Sequence, residues 1–411
     1  MAADDTSIAM QRRDRPWVDA NVTVVCGPFA MPSTTSIRQA VTDIVDRYPE
    51  SRLRWAFDHT RTRWIPGRSV DSVVIERDWD NAPQFGAVLD DMARGDTLQP
   101  PLTFVRYPNY FGMKMAHSLG DGPIFMAAVA TVLLSAVSGQ TAVWPAERAG
   151  RLPLLRAVFR TFGRNPSRLW SAVRDRPQIA QSADSAQPKL LPWTPSRRTI
   201  HTIIEPALTA EIYSCAKKAE PGASRFGTLV ALLLRALSRA GVPFSENVRV
   251  MMDLRGYLGE RLIDGNFVAG VPIRIEGDMS PEQIASTVRI TRNSGRPLAN
   301  QVVTSIRLGS APPAPTTVAD HESPQLTFSY LGAPPLVDCL PYLPGQSPTY
   351  AASVEPGGPN GLTFLLGHVN GGIIINAIFH DNVVDFAQVE AAVQMVRCDP
   401  IGLLSSSGGS T

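Results

Sequence analysis

The sequence predicts a mixed α/β protein built as two lobes of similar layered construction. Three observations carry this. Short β-branched runs alternate with amphipathic helical patterns in the first half of the chain. The same alternation restarts near residue 200 and runs to the end. Between them, Arg174 to Arg198 is rich in Pro, Gln, Ser and Ala and poor in large apolar residues, as a linker is. The boundaries are residues 1–175 for the first lobe, 176–199 for the linker and 200–411 for the second lobe. A length of 411 residues agrees, since domains run to about 100–200 residues. With 44% hydrophobic and 18% charged residues, the chain can bury a large core.

In the first half, Val22–Cys26 is short and β-branched, and predicts a strand. Ile37, Ala40, Val41, Ile44 and Val45 recur at helical spacing, so Ser36–Asp46 predicts an amphipathic helix that Tyr48-Pro49 stops. Thr103–Arg106 and Phe111–Ala116 predict two more strands. Pro123–Ser138 is nearly all apolar, opens on a proline and precedes Gly139, and so predicts a buried helix. In the second half, strands are predicted at Thr202–Ile204, Arg249–Asp253, Val268–Ile275, Leu326–Tyr330, Leu362–His368 and Ile373–Phe379. Helices are predicted at Ala207–Ala219, Phe226–Ala240, Pro281–Arg292 and Phe386–Val396. A second Pro-rich segment, Ser310–Pro324, reads as a loop.

The bulk properties exclude several functions. With 39 basic and 37 acidic side chains the net charge is +2, which does not suit a nucleic-acid binder. Cys26, Cys215, Cys339 and Cys398 are scattered and form neither a zinc-ligand spacing nor a disulfide framework. Met1–Trp17 is polar and not expected to be a signal peptide, and no run is long enough to span a membrane. The protein is therefore expected in the cytosol. Phosphate-loop and nucleophile-elbow motifs do not occur.

The segment from Met113 through His117-Ser118-Leu119-Gly120-Asp121-Gly122 to Pro123 carries the chemistry. An apolar strand delivers a histidine beside a glycine-permitted bend, and a buried helix follows. An imidazole with an ordinary pKa near ~6.5 can deprotonate a hydroxyl or amine as it attacks a carbonyl. Asp121, after the turn, is better placed to hold the loop. An isolated His-x-x-x-Asp-Gly is also compatible with a core histidine. Helical geometry would make His117 and Asp121 a metal pair, but Gly120 and Gly122 argue against a helix, and no metal is expected.

This segment resembles the HHxxxDG motif of the condensation-domain and chloramphenicol-acetyltransferase superfamily. Asp43–Pro49 with Leu53-Arg54 resembles that family's early helix and RHP-x-LR element. Val250–Arg255, then Asp264-Gly265-Asn266-Phe267 and Val271-Pro272-Ile273-Arg274, resemble its strand-Arg, Gly-Asn and Pro-x-Arg block. Thr327–Gly332 resembles its fNYLG strand. The pieces come in the family's order and span nearly the whole chain.

The resemblance implies two chloramphenicol-acetyltransferase-like lobes in a V-shaped pseudo-dimer, with an active-site tunnel between them open on two faces. A thioester donor, acyl-CoA or phosphopantetheinyl, enters from one face, and a small-molecule or lipid acceptor from the other. His117 matches the motif's second histidine, the general base. Asp121 matches the structural aspartate, with Arg255 as its ion-pair partner. Ala116 replaces the first histidine, which points to a stand-alone member rather than a synthetase module. A backbone N–H near Gly122 is a candidate oxyanion donor. Asn266, Ser329, Tyr330 and Thr363 are candidate substrate contacts.

Arg151, Arg156, Arg160, Arg164, Arg168, Arg174 and Arg176 are interleaved with Leu155, Phe159, Phe162 and Trp170. Pro153 can open a helix there, and Gly163 and Pro166 divide it. Such a stretch suits a membrane surface, an acyl carrier protein, CoA phosphates or a plain solvated face. The expected function is acyl transfer forming an ester or amide, in natural-product or lipid biosynthesis, without a bound cofactor. The rival is a silent relative that serves as a carrier-protein or lipid platform.

Overall fold

The computed structural model describes residues 7–79, 84–94, 101–148, 150, 152–174, 189–259, 262–307, 315–320 and 323–405. The first half contributes the strands Asn21–Gly27 (β1), Val74–Glu76 (β2), Leu102–Arg106 (β3) and Phe111–Ala116 (β4). Its main helices are Thr34–Arg47 (α1) and Gly122–Ser138 (α2), followed by Pro153–Phe162 (α3) and Ser167–Arg174 (α4). The second half contributes Arg197–Ile204 (β5), Asn247–Asp253 (β6), Val268–Arg274 (β7), Gln325–Tyr330 (β8), Thr349–Val354 (β9), Gly361–Val369 (β10) and Gly372–His380 (β11). Its helices include Pro206–Ala219 (α5), Arg225–Arg239 (α6), Pro281–Asn293 (α7), Arg296–Arg307 (α8) and Phe386–Cys398 (α9).

Local chemistry explains the helices that frame the site. Ser33 Oγ accepts from Ser36 N–H at the start of α1, and Ile37, Ala40, Val41 and Ile44 bury one stripe of it. Helix α2 packs beside α1 and is buried on most of its circumference, so it reads as apolar all round. Gly139, at a φ of 66°, closes α2 in the left-handed conformation. Ser280 and Gln283 form a reciprocal capping box on α7. No helix among the described residues is long and apolar enough to cross a membrane.

Two sheets organise the molecule. The first runs β9-β1-β4-β3-β2 and the second β7-β6-β8-β10-β11-β5. Each has helices against it and its own apolar core. The sequence alone places everything from residue 200 onward in the second lobe. The structure corrects this: β9 pairs antiparallel with β1 and completes the first sheet from the second half of the chain. Its small residues, Ala351, Ala352 and Ser353, are buried at the junction and carry little β-branched signal. Thr199 Oγ1 and Ser353 Oγ meet at 2.9 Å across that junction. The expected loops also hold a two-stranded ribbon, in which Leu190–Pro192 pairs with Thr317–Ala319. Residues 176–188 of the linker lie outside the described residues, as do Arg151 and Arg176 of the basic stretch.

A half-buried histidine ties β9 to the second sheet. His201 Nε2 lies 2.9 Å from Thr349 Oγ1 and Nδ1 lies 2.9 Å from Asn376 Oδ1. Burial pushes its pKa down to about 4, although the Asn376 hydrogen bond opposes the shift. The unfolded chain binds this proton at pH ~6.5 and the native chain refuses it until about pH 4. His201 therefore contributes stability that is present above pH ~6.5 and lost as pH falls toward 4. The urea midpoint is expected to be lower at pH 5 than at pH 7.5, and His201→Asn to shrink that difference. An equal difference in the variant would place the titration elsewhere.

Candidate active site

His117 follows the last residue of β4, a strand held between β1 and β3. Its N–H donates to Ala20 O at 2.7 Å, and Leu119 N–H donates to Ala116 O at 3.0 Å, so the chain turns at once. The ring is clamped on two sides. Trp17 stacks on it with centroids 4.5 Å apart, and Phe125 of α2 meets it edge-on at 5.2 Å. Asn266 Nδ2 stands 3.0 Å from Nδ1 and donates to the His117 carbonyl at 3.3 Å. The Asn266 Oδ1 accepts from Val268 N–H, which orients the amide.

Burial pushes the His117 pKa below its ordinary value, against the pull of Asp121 and of the His117 and Gly120 carbonyls. The ring is therefore neutral at neutral pH.

Asp121 and Arg255 join the two halves behind this ring. Arg255 Nη1 donates to Asp121 Oδ2 at 2.8 Å and Nη2 to Oδ1 at 3.0 Å. Both side chains are under 5% exposed. Phe267 N–H also donates to Asp121 Oδ2, at 2.8 Å. Arg255 spends its other N–H groups on the carbonyls of Ile263 and Gly265 and on Asp253. Every strong hydrogen-bonding direction of this buried pair is thus answered.

The glycines have a different reason from the one the sequence suggests. Neither Gly120 nor Gly122 has a positive φ. A Cβ on Gly122 would lie 2.1 Å from Leu331 Cδ2, and one on Gly120 2.7 Å from Ile124. Space is the constraint, not a left-handed turn.

Two cavities meet at His117. The larger, about 520 Å³, also takes in Trp17, Asn21, Arg249, Ser329 and Thr363. The smaller, about 170 Å³, takes in Asp121, Gly122, Pro123, Arg255 and Tyr330. Residues from both halves of the chain line each one. Ser329 faces both cavities and Thr363 the larger. Tyr330 faces the smaller, with its hydroxyl 3.3 Å from His368 Nδ1. Asn266 is a correction: it lines neither cavity, is fully buried and touches His117 instead. Trp17 was outside the sequence reading, because a lone aromatic after a polar segment has no periodic signal.

The arrangement has known counterparts in shape. A variant of the starter condensation domain of rhizomide synthetase RzmA, in complex with C8-CoA and Leu-SNAC, matches with a TM-score of 0.60 at 14% identity. The match covers 98% of this chain and 95% of that one. The first condensation domain of the CDA synthetase matches with a TM-score of 0.60 at 13% identity, over 98% of each chain. F. sporotrichioides TRI101, complexed with coenzyme A and T-2, matches with a TM-score of 0.59 at 13% identity, over 96% of this chain and 97% of that one. No family model and no curated protein matches the sequence. The chain has the two-lobed fold of the condensation domains it matches.

Proposed function

We propose that this protein transfers an acyl group from an acyl-CoA or carrier-protein thioester to a hydroxyl or amine acceptor. One observation carries this reading: a neutral histidine stands where two cavities meet. His117 takes the acceptor's proton as the acceptor oxygen or nitrogen bonds to the thioester carbonyl carbon. The oxyanion of the tetrahedral intermediate finds a donor in the Gly122 N–H, at the first residue of α2 and unpaired within the helix. Collapse breaks the C–S bond, and the thiolate takes the proton back from His117. Ser329, Tyr330 and Thr363 supply contacts to donor or acceptor. The thioester is a co-substrate, and the reaction needs no prosthetic group. Lipid or natural-product assembly is the setting we favour.

The test is thiol release from a panel of acyl-CoA donors and acyl carrier proteins, with and without pooled alcohols and amines. Acceptor-dependent release supports the reading. Absence of release from every donor would overturn it in favour of a binding platform.

Helices α3 and α4 support a place at an anionic membrane surface. Ala157, Phe162 and Ala172 pack inward against Leu298 and Ala299 of α8. Outward stand Leu155, Phe159 at 68% exposure and Trp170 at 70%. Exposed Arg156, Arg160, Arg164 and Arg168 lie among them. The protein is expected to co-sediment with vesicles containing phosphatidylglycerol and to be released by salt. Phe159→Ser with Trp170→Ser should abolish this and leave thiol release unchanged. Equal sedimentation of the double variant would remove these helices from membrane contact and leave carrier-protein docking to test.

A further inference from the structure

Proton abstraction by His117 needs no cation, yet the larger cavity has two arginines in its wall, Arg13 and Arg249. Arg13 is buried at 3% exposure and held inside the protein beside an acid and an aromatic ring, although its Nε and Nη2 have no hydrogen bond among the described residues. Its Nε lies 3.4 Å from Asp14 Oδ1, and its guanidinium sits 3.9 Å above the Phe267 ring.

Arg249 is different. It stands on β6 opposite Thr327 of β8, and Thr327 stands opposite Thr363 of β10. The three form one row across the second sheet, and all three line the cavity. Two glycines give the side chain room. A Cβ on Gly270 would lie 2.8 Å from its Cδ, and one on Gly357 2.6 Å from its Nη1. The guanidinium is half-buried, and no hydrogen bond or ion pair reaches it from the described residues. Burial pushes its pKa down and no carboxylate opposes the shift. The nearby acid on the same wall, Glu355, is engaged by Arg197 at 3.4 Å. A cation withdrawn from water without a partner is unfavourable, unless a ligand supplies the missing charge. A guanidinium presents a planar fork of donors, which fits a carboxylate or a phosphate.

We propose that the larger cavity takes a substrate bearing an oxyanion, a carboxylate or a phosphate, gripped by Arg249 with hydroxyl donors from Thr327 and Thr363. This rests on reading the cavity as a substrate chamber, and it names the chemical class that the chamber selects. The oxyanion belongs either to a free-acid acceptor or to the phosphates of the thioester donor.

Calorimetric titration of the full chain with two matched pairs, octanoate against octanamide and CoA against pantetheine, separates these sources. At least one anion is expected to bind about tenfold or more tightly than its neutral counterpart, as for hydrogen bonds to a charged group. Arg249→Gln should erase that preference, Arg249→Lys should retain part of it, and Thr363→Val should weaken it severalfold. An octanoate preference assigns a carboxylate acceptor, and a CoA preference a phosphate. Equal affinities of wild type and Arg249→Gln for both anions would overturn the proposal. His117→Ala leaves this site intact and should keep the anion preference. Failure of acyl transfer and failure of the oxyanion site are therefore read separately.

Discussion

His117→Ala is expected to lower kcat for acceptor-dependent thiol release by about 100-fold or more, the usual share of a positioned general base. The ring has little freedom to lose, because Trp17, Phe125 and Asn266 hold it from three directions. The deletion should therefore report the base itself more than a collapse of the site. The pH profile gives an independent reading. Burial holds the His117 pKa below its ordinary value, so the imidazole is already neutral at pH 7. The wild-type rate should be level through neutrality and fall only in acid, as the ring takes a proton. In His117→Ala that acid limb should vanish. Equal rates in wild type and variant would remove His117 from the mechanism.

Arg255→Met is expected to destabilise the protein by about 3–5 kcal/mol, the cost of leaving a buried charge without its partner. The substitution strips Asp121 of two hydrogen bonds and leaves it with Phe267 N–H. It also frees the carbonyls of Ile263 and Gly265. Asp121→Leu should cost somewhat less, because the guanidinium keeps the half-exposed Asp253 and the carbonyls of Ile263 and Gly265. Asp121→Leu combined with Arg255→Met should recover much of the loss, since a buried pair can often be exchanged for apolar groups at little cost. Urea unfolding of the four proteins closes this cycle. Single variants within 1 kcal/mol of wild type would show that the pair carries no such load. Activity should not return with stability, because Asp121 also holds Phe267 N–H, next to the Asn266 that contacts His117.

The parts of the fold that could be read from sequence are those with a local signature. The strand ending at Ala116 and the apolar helix after Asp121 show in the residue types themselves. The facing of Asp121 and Arg255 came from resemblance, since they are separated by 134 positions in the chain. Other features had no local sign. Ala351 and Ala352 look neutral between strand and loop, and only burial between two sheets makes them a strand. Asn266 reads in the sequence as a candidate substrate contact, yet it is buried against the histidine. Gly122 looks like a turn glycine, and its real neighbour, Leu331, is distant in sequence.

The exchanged strand also sets a timetable for biosynthesis. When residues 1–200 have left the ribosome, β1 still has an open edge, because its neighbour β9 spans Thr349–Val354. The nascent first half must carry that unpaired edge while most of the second half is translated, at roughly 5–20 residues per second. An open edge is a template for pairing with other chains, so the interval is a window of aggregation risk. The first half is in this sense an incomplete folding unit, finished by a piece of its successor.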